Sequence, residues 1–357
     1  MASISVIVPT YKRESVLVDT LKQLASLLQT GDEILVIDQT PQHEPATTSA
    51  LERMTADGAI RWYRRSRASQ NEAMNIAAML ADKEILLFLD DDIVPFDNLL
   101  EGHRQAFLGA DPPPATCGQV LQPWHPVAID NVSNFDLSFD AAYSKTCEIR
   151  ALMAGNFAMR RETYLVVGGM DENFQGANYR NDSEVAYRTC AKTGRLIRFV
   201  PEAGLRHLLS GGGNRAFGAK DTWGHIGGSI GDYYFALKSL PLAKSGRHIL
   251  TRVVRASLNR NTVKHPWLIP SMALREVVAF ARACGRLARN PYKGIRPLEE
   301  YGALIDMGRP GSASQEAVPQ TAHRTKSATN DDLVVSGVAN IQTLSDSIAE
   351  SLGASKN

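Results

Sequence analysis

The stretch EILLFLDDDIVP, residues 84–95, runs five apolar residues straight into Asp90, Asp91 and Asp92. It reads as a buried strand that stops where three carboxylates crowd together. Adjacent carboxylates a few ångströms apart repel by about 1 to 4 kcal/mol per pair at surface-like dielectric, so this strand end calls for a compensating cation. A hard divalent metal takes one or two carboxylates and keeps its other positions for water and substrate phosphates, which is what a nucleoside diphosphate requires. The plain alternative is that one aspartate caps a helix beginning near Asp97 while the others are solvated.

Upstream, short β-branched runs alternate with helical patterns. ISVIVP (4–9), an amphipathic stretch over 14–29, EILVID (33–38), a polar helix near 45–56, IRWYRR (60–65) and a helix over 70–82 lead into EILLFLD (84–90). This alternation predicts an α/β fold, with a mostly parallel sheet flanked by helices. Ligands of such sheets sit at the carboxyl ends of the strands, where Pro9-Thr10-Tyr11, Asp38 and the aspartate triplet all fall. Downstream, the Pro-rich opening of 110–160 predicts loops around one strand near 115–121. AGNFAMRRETYLVVGGMDENF predicts a strand, a short helix ended by Gly168-Gly169, and a turn. NDSEVAYRTCAKTG predicts a helix from Asn181 or Asp182 to Gly194, followed by the strand RLIRFV.

The 357 residues are 44% hydrophobic and 22% charged, enough for one large domain with an appendage or for two modest domains. Net charge is +1, so no global field points to nucleic acid. Trp62 and Tyr63 beside Arg64, Arg65 and Arg67 read as a strand end rather than an RNA-stacking surface. Cys117, Cys147, Cys190 and Cys284 show neither CxxC pairs nor a metal-ligand spacing, which fits reduced thiols in a cytoplasmic setting. The start, MASISVIVPTYKR, lacks a basic n-region and reads as a first strand, not a leader. The longest apolar stretch, WLIPSMALREVVAFARACG, is broken by Arg275 and Glu276, so no spanning helix is expected.

Residues 238–293 carry twelve Lys/Arg against one acid, Glu276. This basic helical appendage is suited to an anionic membrane surface, with a solvated face or subunit contact as the alternative. The glycines from 211 onward predict a flexible or closely approached loop. GGGNRA there fits the dinucleotide fingerprint only formally, because no strand feeds directly into it. Beyond 310 the composition predicts a disordered tail. The expected division is 1–210, 211–310 and 311–357.

ISVIVPTYKR, EILVIDQT, NIAAMLADKEILLFLDDD, GGMDENF and NDSEVAYR follow one another in an order that, over roughly residues 3–210, resembles a family 2 glycosyltransferase of GT-A (Rossmann-like) fold. Asp90, Asp92 and Val94 also fit D-x-D-x-[TV], which resembles the motif of haloacid-dehalogenase-type phosphatases with Asp90 as nucleophile. In those enzymes the motif ends the first strand, whereas here it follows the fourth.

The glycosyltransferase resemblance implies that Pro9, Thr10, Tyr11 and Arg13 lie beside the nucleotide's base and ribose, and that Asp38 hydrogen-bonds the base. Asn75 matches the family Asn fifteen residues before the metal-binding Asp motif. The neighbouring family Arg is Met74 here and a common Gly is Ser69, so Arg67 stands in as the pyrophosphate contact. Asp92 is implied in direct contact with Mg²⁺ or Mn²⁺, with Asp90 and Asp91 facing the ribose and the metal's water shell; Asp90 and His207 complete the metal set. Gly155 and Asn156 are implied in the donor-sugar pocket, and Gly168, Gly169, Asp171 and Glu172 on the acceptor side.

The family's catalytic base is usually the Asp of an E-D pair, which is Asn181-Asp182 here. Asp182 keeps the carboxylate, to take the acceptor hydroxyl's proton in an inverting displacement; as a bare residue type it also suits a helix N-cap. The implied partners are a UDP-, dTDP- or GDP-linked sugar and a glycan or lipid-linked acceptor of cell-envelope or polysaccharide synthesis. The departures at 74 and 181 leave open a catalytically silent nucleotide- or glycan-binding relative.

Overall fold

The computed structural model describes residues 2–130, 139–176, 179–211, 226–290 and 292–308. Most of the glycine-rich segment (212–225) and the C-terminal tail lie outside the described residues. Among those described, one compact unit comprises the chain up to Gly228 and the segment from Lys293, and a second comprises Ser229–Tyr292.

In the first unit β1 (Ile4–Thr10), α1 (Ser15–Leu27), β2 (Glu33–Asp38), α2 (Pro45–Ala56), β3 (Arg61–Arg64), α3 (Gln70–Leu80) and β4 (Ile85–Leu89) alternate as expected. β1 and β4 are buried at every residue, so their sequences read as unbroken apolar runs. Alternate side chains go to opposite faces. Val6, Val8, Val36, Leu87 and Leu89 join Leu17, Leu21 and Leu24 of α1 in one core. Ile7, Leu35, Ile37 and Phe88 join Ala73, Met74 and Ala77 of α3 in the other, where Phe88 stacks on Phe157 at 4.6 Å.

Beyond β4 the order changes. β5 (Ile93–Pro95), α4 (Leu99–Leu108), β6 (Ala115–Leu121), β7 (Cys147–Ile149), β8 (Asn156–Arg160), α5 (Arg161–Val167), α6 (Asn181–Thr193) and β9 (Ile197–His207) follow, and β10 (Ile305–Asp306) closes the unit. The sheet runs β10-β3-β2-β1-β4-β8-β6-β9-β5. The β3-β2-β1-β4 block is parallel, whereas β8 is antiparallel to both β4 and β6, and β5 and β7 are antiparallel to β9. The parallel order expected from the alternation therefore holds for the first half. The second half is mixed because β8, reached from β6 with no helix among the described residues between them, runs antiparallel to both of its neighbours.

Thr10 and Asp38 are paired in register at the carboxyl ends of β1 and β2. On the other side, Ile93 of β5 pairs with His207, the last residue of β9. That pairing folds the aspartate triplet back against a residue more than a hundred positions away. α5 ends at Gly168 and Gly169, both at positive φ (93° and 70°), where a side chain would be strained.

The second unit contains most of α7 (Ile226–Ser239), with α8 (Leu242–Ser257), α9 (Arg260–Lys264) and α10 (Ile269–Arg289). Glu276, the acid of the basic stretch, is fully buried. It accepts from Tyr233 Oη at 2.7 Å and Ser229 Oγ at 3.0 Å and pairs with Arg275 at 2.8 Å. Asp232 similarly binds His248 and Arg252, each at 3.0 Å. Both acids are internal counterions, so the unit's exposed charge is almost purely positive.

Candidate active site at the strand ends

The aspartate triplet divides by side-chain direction. Asp91 is buried toward β1, accepting from Thr10 Oγ1 at 2.6 Å and from Arg13 Nε at 3.0 Å. Burial pushes its carboxyl up to about 6, against the pull of Arg13 and Thr10. Asp92 meets Arg13 Nη2 at 3.0 Å, the Ser210 backbone N–H at 2.8 Å and His207 Nε2 at 3.2 Å. Burial alone would raise Asp92, but His207 and Arg13 hold it below the ordinary carboxylate range. One arginine thus neutralises part of the repulsion within the triplet. It also donates through Nη1 to the carbonyls of Ser210 and Gly211, pinning the end of the chain that follows β9.

Asp90, Asp92 and His207 offer one ligand atom each, all within 4.8 Å of one another. Two carboxylate oxygens and an imidazole nitrogen suit Mn²⁺ or Mg²⁺. His207 Nδ1 lies 3.0 Å from Gln122 Oε1, which fixes the ring. With a cation in place of the hydrogen bond to Asp92, a proton on Nδ1 shared with Gln122 would leave the Nε2 lone pair as the ligand. The residues therefore fit the group that the resemblance implies.

Asp90 rests over backbone. A Cβ added to Gly155 would lie 2.3 Å from Asp90 Oδ2, so no side chain fits at 155 without moving the carboxylate. Gly155→Ala is expected to weaken Mn²⁺ affinity by about tenfold, read by calorimetric titration. Its unfolding midpoint in denaturant should stay near that of the parent protein.

A cavity of about 500 Å³ opens beside this cluster, lined by Asp90, Gln122, Trp124, Gly155, Asn181 and Asp182 among others. It lies in the range typical of small-ligand sites. Asp182 enters it from the first turn of α6, two residues after Arg180, whose left-handed backbone (φ 73°) starts the helix. Asp182 is not the N-cap. Its Oδ1 accepts from the Ser183 N–H at 2.7 Å and from Ser183 Oγ at 3.4 Å, and burial raises its pKa despite those bonds. Its neighbour Asn181 donates to Asn71 Oδ1 at 2.9 Å, tying α6 to α3.

Several expected site residues also brace the scaffold. Asp38 is fully buried and occupied by His43 Nε2 (2.9 Å), Trp62 Nε1 (3.1 Å) and the Thr40 N–H (2.8 Å). Asn75 binds the Met170 backbone through both ends of its amide and also meets Glu172 and Tyr164. Asn156 bridges His103 and the carbonyls of Gln119 and Ala203. Met74 lies in the core and Ser69 caps α3, so neither departure leaves a gap in the packing. Pro9 is buried within β1, and Tyr11 carries the Lys12 ammonium 5.1 Å above its ring.

Gly169, Asp171 and Glu172 form the turn that receives the returning chain. The Glu172 N–H donates to the Lys293 carbonyl at 2.7 Å, and Asp171 Oδ1 accepts the Lys293 N–H at 3.2 Å. Glu172 also pairs with Arg296 at 3.0 Å, while exposed Arg67 reaches Glu72 at 3.3 Å. Gln122, Trp124, Lys293 and Arg296 were not legible as site or clamp residues. They lie in a Pro-rich loop and beyond a second unit, and no periodicity marks such positions.

Residues 5–165 match the model of glycosyl transferase family 2. No curated protein matches the chain. Among solved structures it is similar to TarS residues 1–349 of S. aureus in complex with UDP-GlcNAc, at 15% identity over 80% of this chain and 81% of that one, with a TM-score of 0.56. It is also similar to GalNAc-T7 with UDP, GalNAc and Mn²⁺, at 18% identity over 68% of this chain, with a TM-score of 0.50. The chain spans about half (52%) of the length of that GalNAc-T7 chain. These likenesses bear out the expected GT-A-type α/β fold.

Proposed function

We infer that this protein, whose residues 5–165 match the model of glycosyl transferase family 2, moves a sugar from a nucleotide diphosphate donor to a hydroxyl of a glycan or lipid-linked acceptor, with inversion. The observation that carries this reading is that a single cavity is lined both by Asp90 of the Asp90/Asp92/His207 donor set and by Asp182. Chemistry at an anomeric carbon needs those two functions side by side. Asp90, Asp92 and His207 would hold a divalent cation, which would supply positive charge to the leaving diphosphate. Asp182 takes the acceptor hydroxyl's proton as the new carbon–oxygen bond forms and the bond to the diphosphate breaks.

The remaining residues hold this geometry. Arg13 and Thr10 fix Asp91, which keeps the turn after β4 in place, and Gln122 orients His207. Trp124, 65% exposed in the cavity lining, offers an aromatic face for packing a sugar ring. Asp38, closed in by three donors, holds the β2 end that underlies the nucleotide side.

Calorimetric titration with UDP, dTDP and GDP, each with and without Mn²⁺ or Mg²⁺, tests the donor site. Metal-dependent binding of one nucleotide is expected, followed by transfer from its sugar conjugate with an inverted anomeric centre by NMR. If no nucleotide binds with either metal, the donor-site reading fails and a search for an aspartyl-phosphate at Asp90 takes its place. Nucleotide binding with no turnover of any conjugate would leave a silent relative.

A further inference from the structure

In the second unit the exposed side chains combine large apolar groups with positive charge. Leu250, Val254 and Leu258 recur every four residues along the end of α8 at 66%, 46% and 56% exposure. Val263, Trp267, Leu274 and Val277 continue the exposed apolar set through α9 and α10, Trp267 reaching 72%. Residues four apart on a helix share a face, so Leu250, Val254 and Leu258 form one exposed apolar row, of the kind that marks an interaction surface.

The charge identifies the partner. Lys244, Arg247, Arg255, Arg260, Lys264, Arg282 and Arg289 are all exposed on the same unit, while Glu276 and Asp232 are buried against Tyr233, Ser229, Arg252, Arg275 and His248. A second copy would bring like charge against like charge. An anionic bilayer offers both an acyl boundary for Leu, Val and Trp and negative headgroups for Lys and Arg. Among the described residues no helix is long and apolar enough to cross a membrane.

We propose that Ser229–Tyr292 docks on an anionic lipid surface, with Leu250, Val254, Leu258, Trp267, Leu274 and Val277 entering the acyl boundary and the surrounding Lys and Arg contacting headgroups. The proposal stands independently of glycosyl transfer, because binding to lipid is measured without any donor or acceptor.

Co-sedimentation of the full chain with vesicles of phosphatidylcholine containing about 30% phosphatidylglycerol, at low salt, provides the test. Binding is expected to be about tenfold or more tighter than to pure phosphatidylcholine vesicles and to weaken as salt rises. Leu250→Glu/Val254→Glu and Arg247→Glu/Arg255→Glu should each lose about tenfold, with circular dichroism and the unfolding midpoint retained because all four positions are exposed. Equal binding to both vesicle types, or variants that bind like the parent chain, would overturn the proposal. So would a dimer that the first variant dissociates in the absence of vesicle binding.

Discussion

Asp182→Asn is expected to lower kcat by about 10² to 10⁴-fold while leaving nucleotide affinity near that of the parent enzyme. The substitution preserves shape and can keep an acceptor oxygen for the Ser183 N–H, but it removes the capacity to take a proton. The pH profile distinguishes this from a structural loss. Burial raises the folded Asp182 pKa above its ordinary 3.8, so the carboxylate form that a base requires is lost as pH falls through that raised value. The parent enzyme should therefore show an acid limb in kcat lying above the ordinary aspartate range, and Asp182→Asn should show a flat residual rate there. A variant retaining most of the parent's kcat would exclude Asp182 as the base.

Asp92→Asn is expected to reduce metal-dependent nucleotide affinity by on the order of a hundredfold or more. Asp92 contributes one of the two carboxylates of the donor set and pairs with buried Arg13. The amide oxygen can still accept the Ser210 N–H, so the turn after β9 keeps one anchor. Removing one partner of a buried ion pair costs about 3 to 5 kcal/mol, reduced here because Asp91 still binds Arg13. Calorimetry in the presence and absence of Mn²⁺ separates the effects: a loss confined to the metal-containing titration marks Asp92 as a ligand. An equal loss in both would assign it to the scaffold alone.

The parallel block was legible because its signals are local. Val6, Val8, Ile34 and Val36 alternate with Ile7 and Leu35 in short runs bounded by turn residues, and the helix ends fall at Ser69, Gly168 and Gly194 for capping reasons. The site was legible where chemistry demands a residue type: Asp90, Asp92 and His207 converge, and Asp182 shares the cavity of Asp90. It was less legible where one residue type serves two ends. Asn75, Asn156 and Asp38 are polar residues at the right places in the chain, yet their partners are backbone amides and buried side chains.

By itself the sequence determined the alternating α/β elements, the strand ends that carry the carboxylates and the basic character of 238–293, since each depends on neighbours within a few residues. Only the tertiary structure decided which carboxylates face a common cavity and which brace the fold. The short β5–β9 ladder brings His207 to Asp92 across 115 positions, and Arg13 turns Asp91 inward. It also decided that Lys293 and Arg296 return to Glu172 after a separate helical unit. Long-range pairing of this kind is set by packing and charge compensation among distant segments, which leave no periodic trace along the chain.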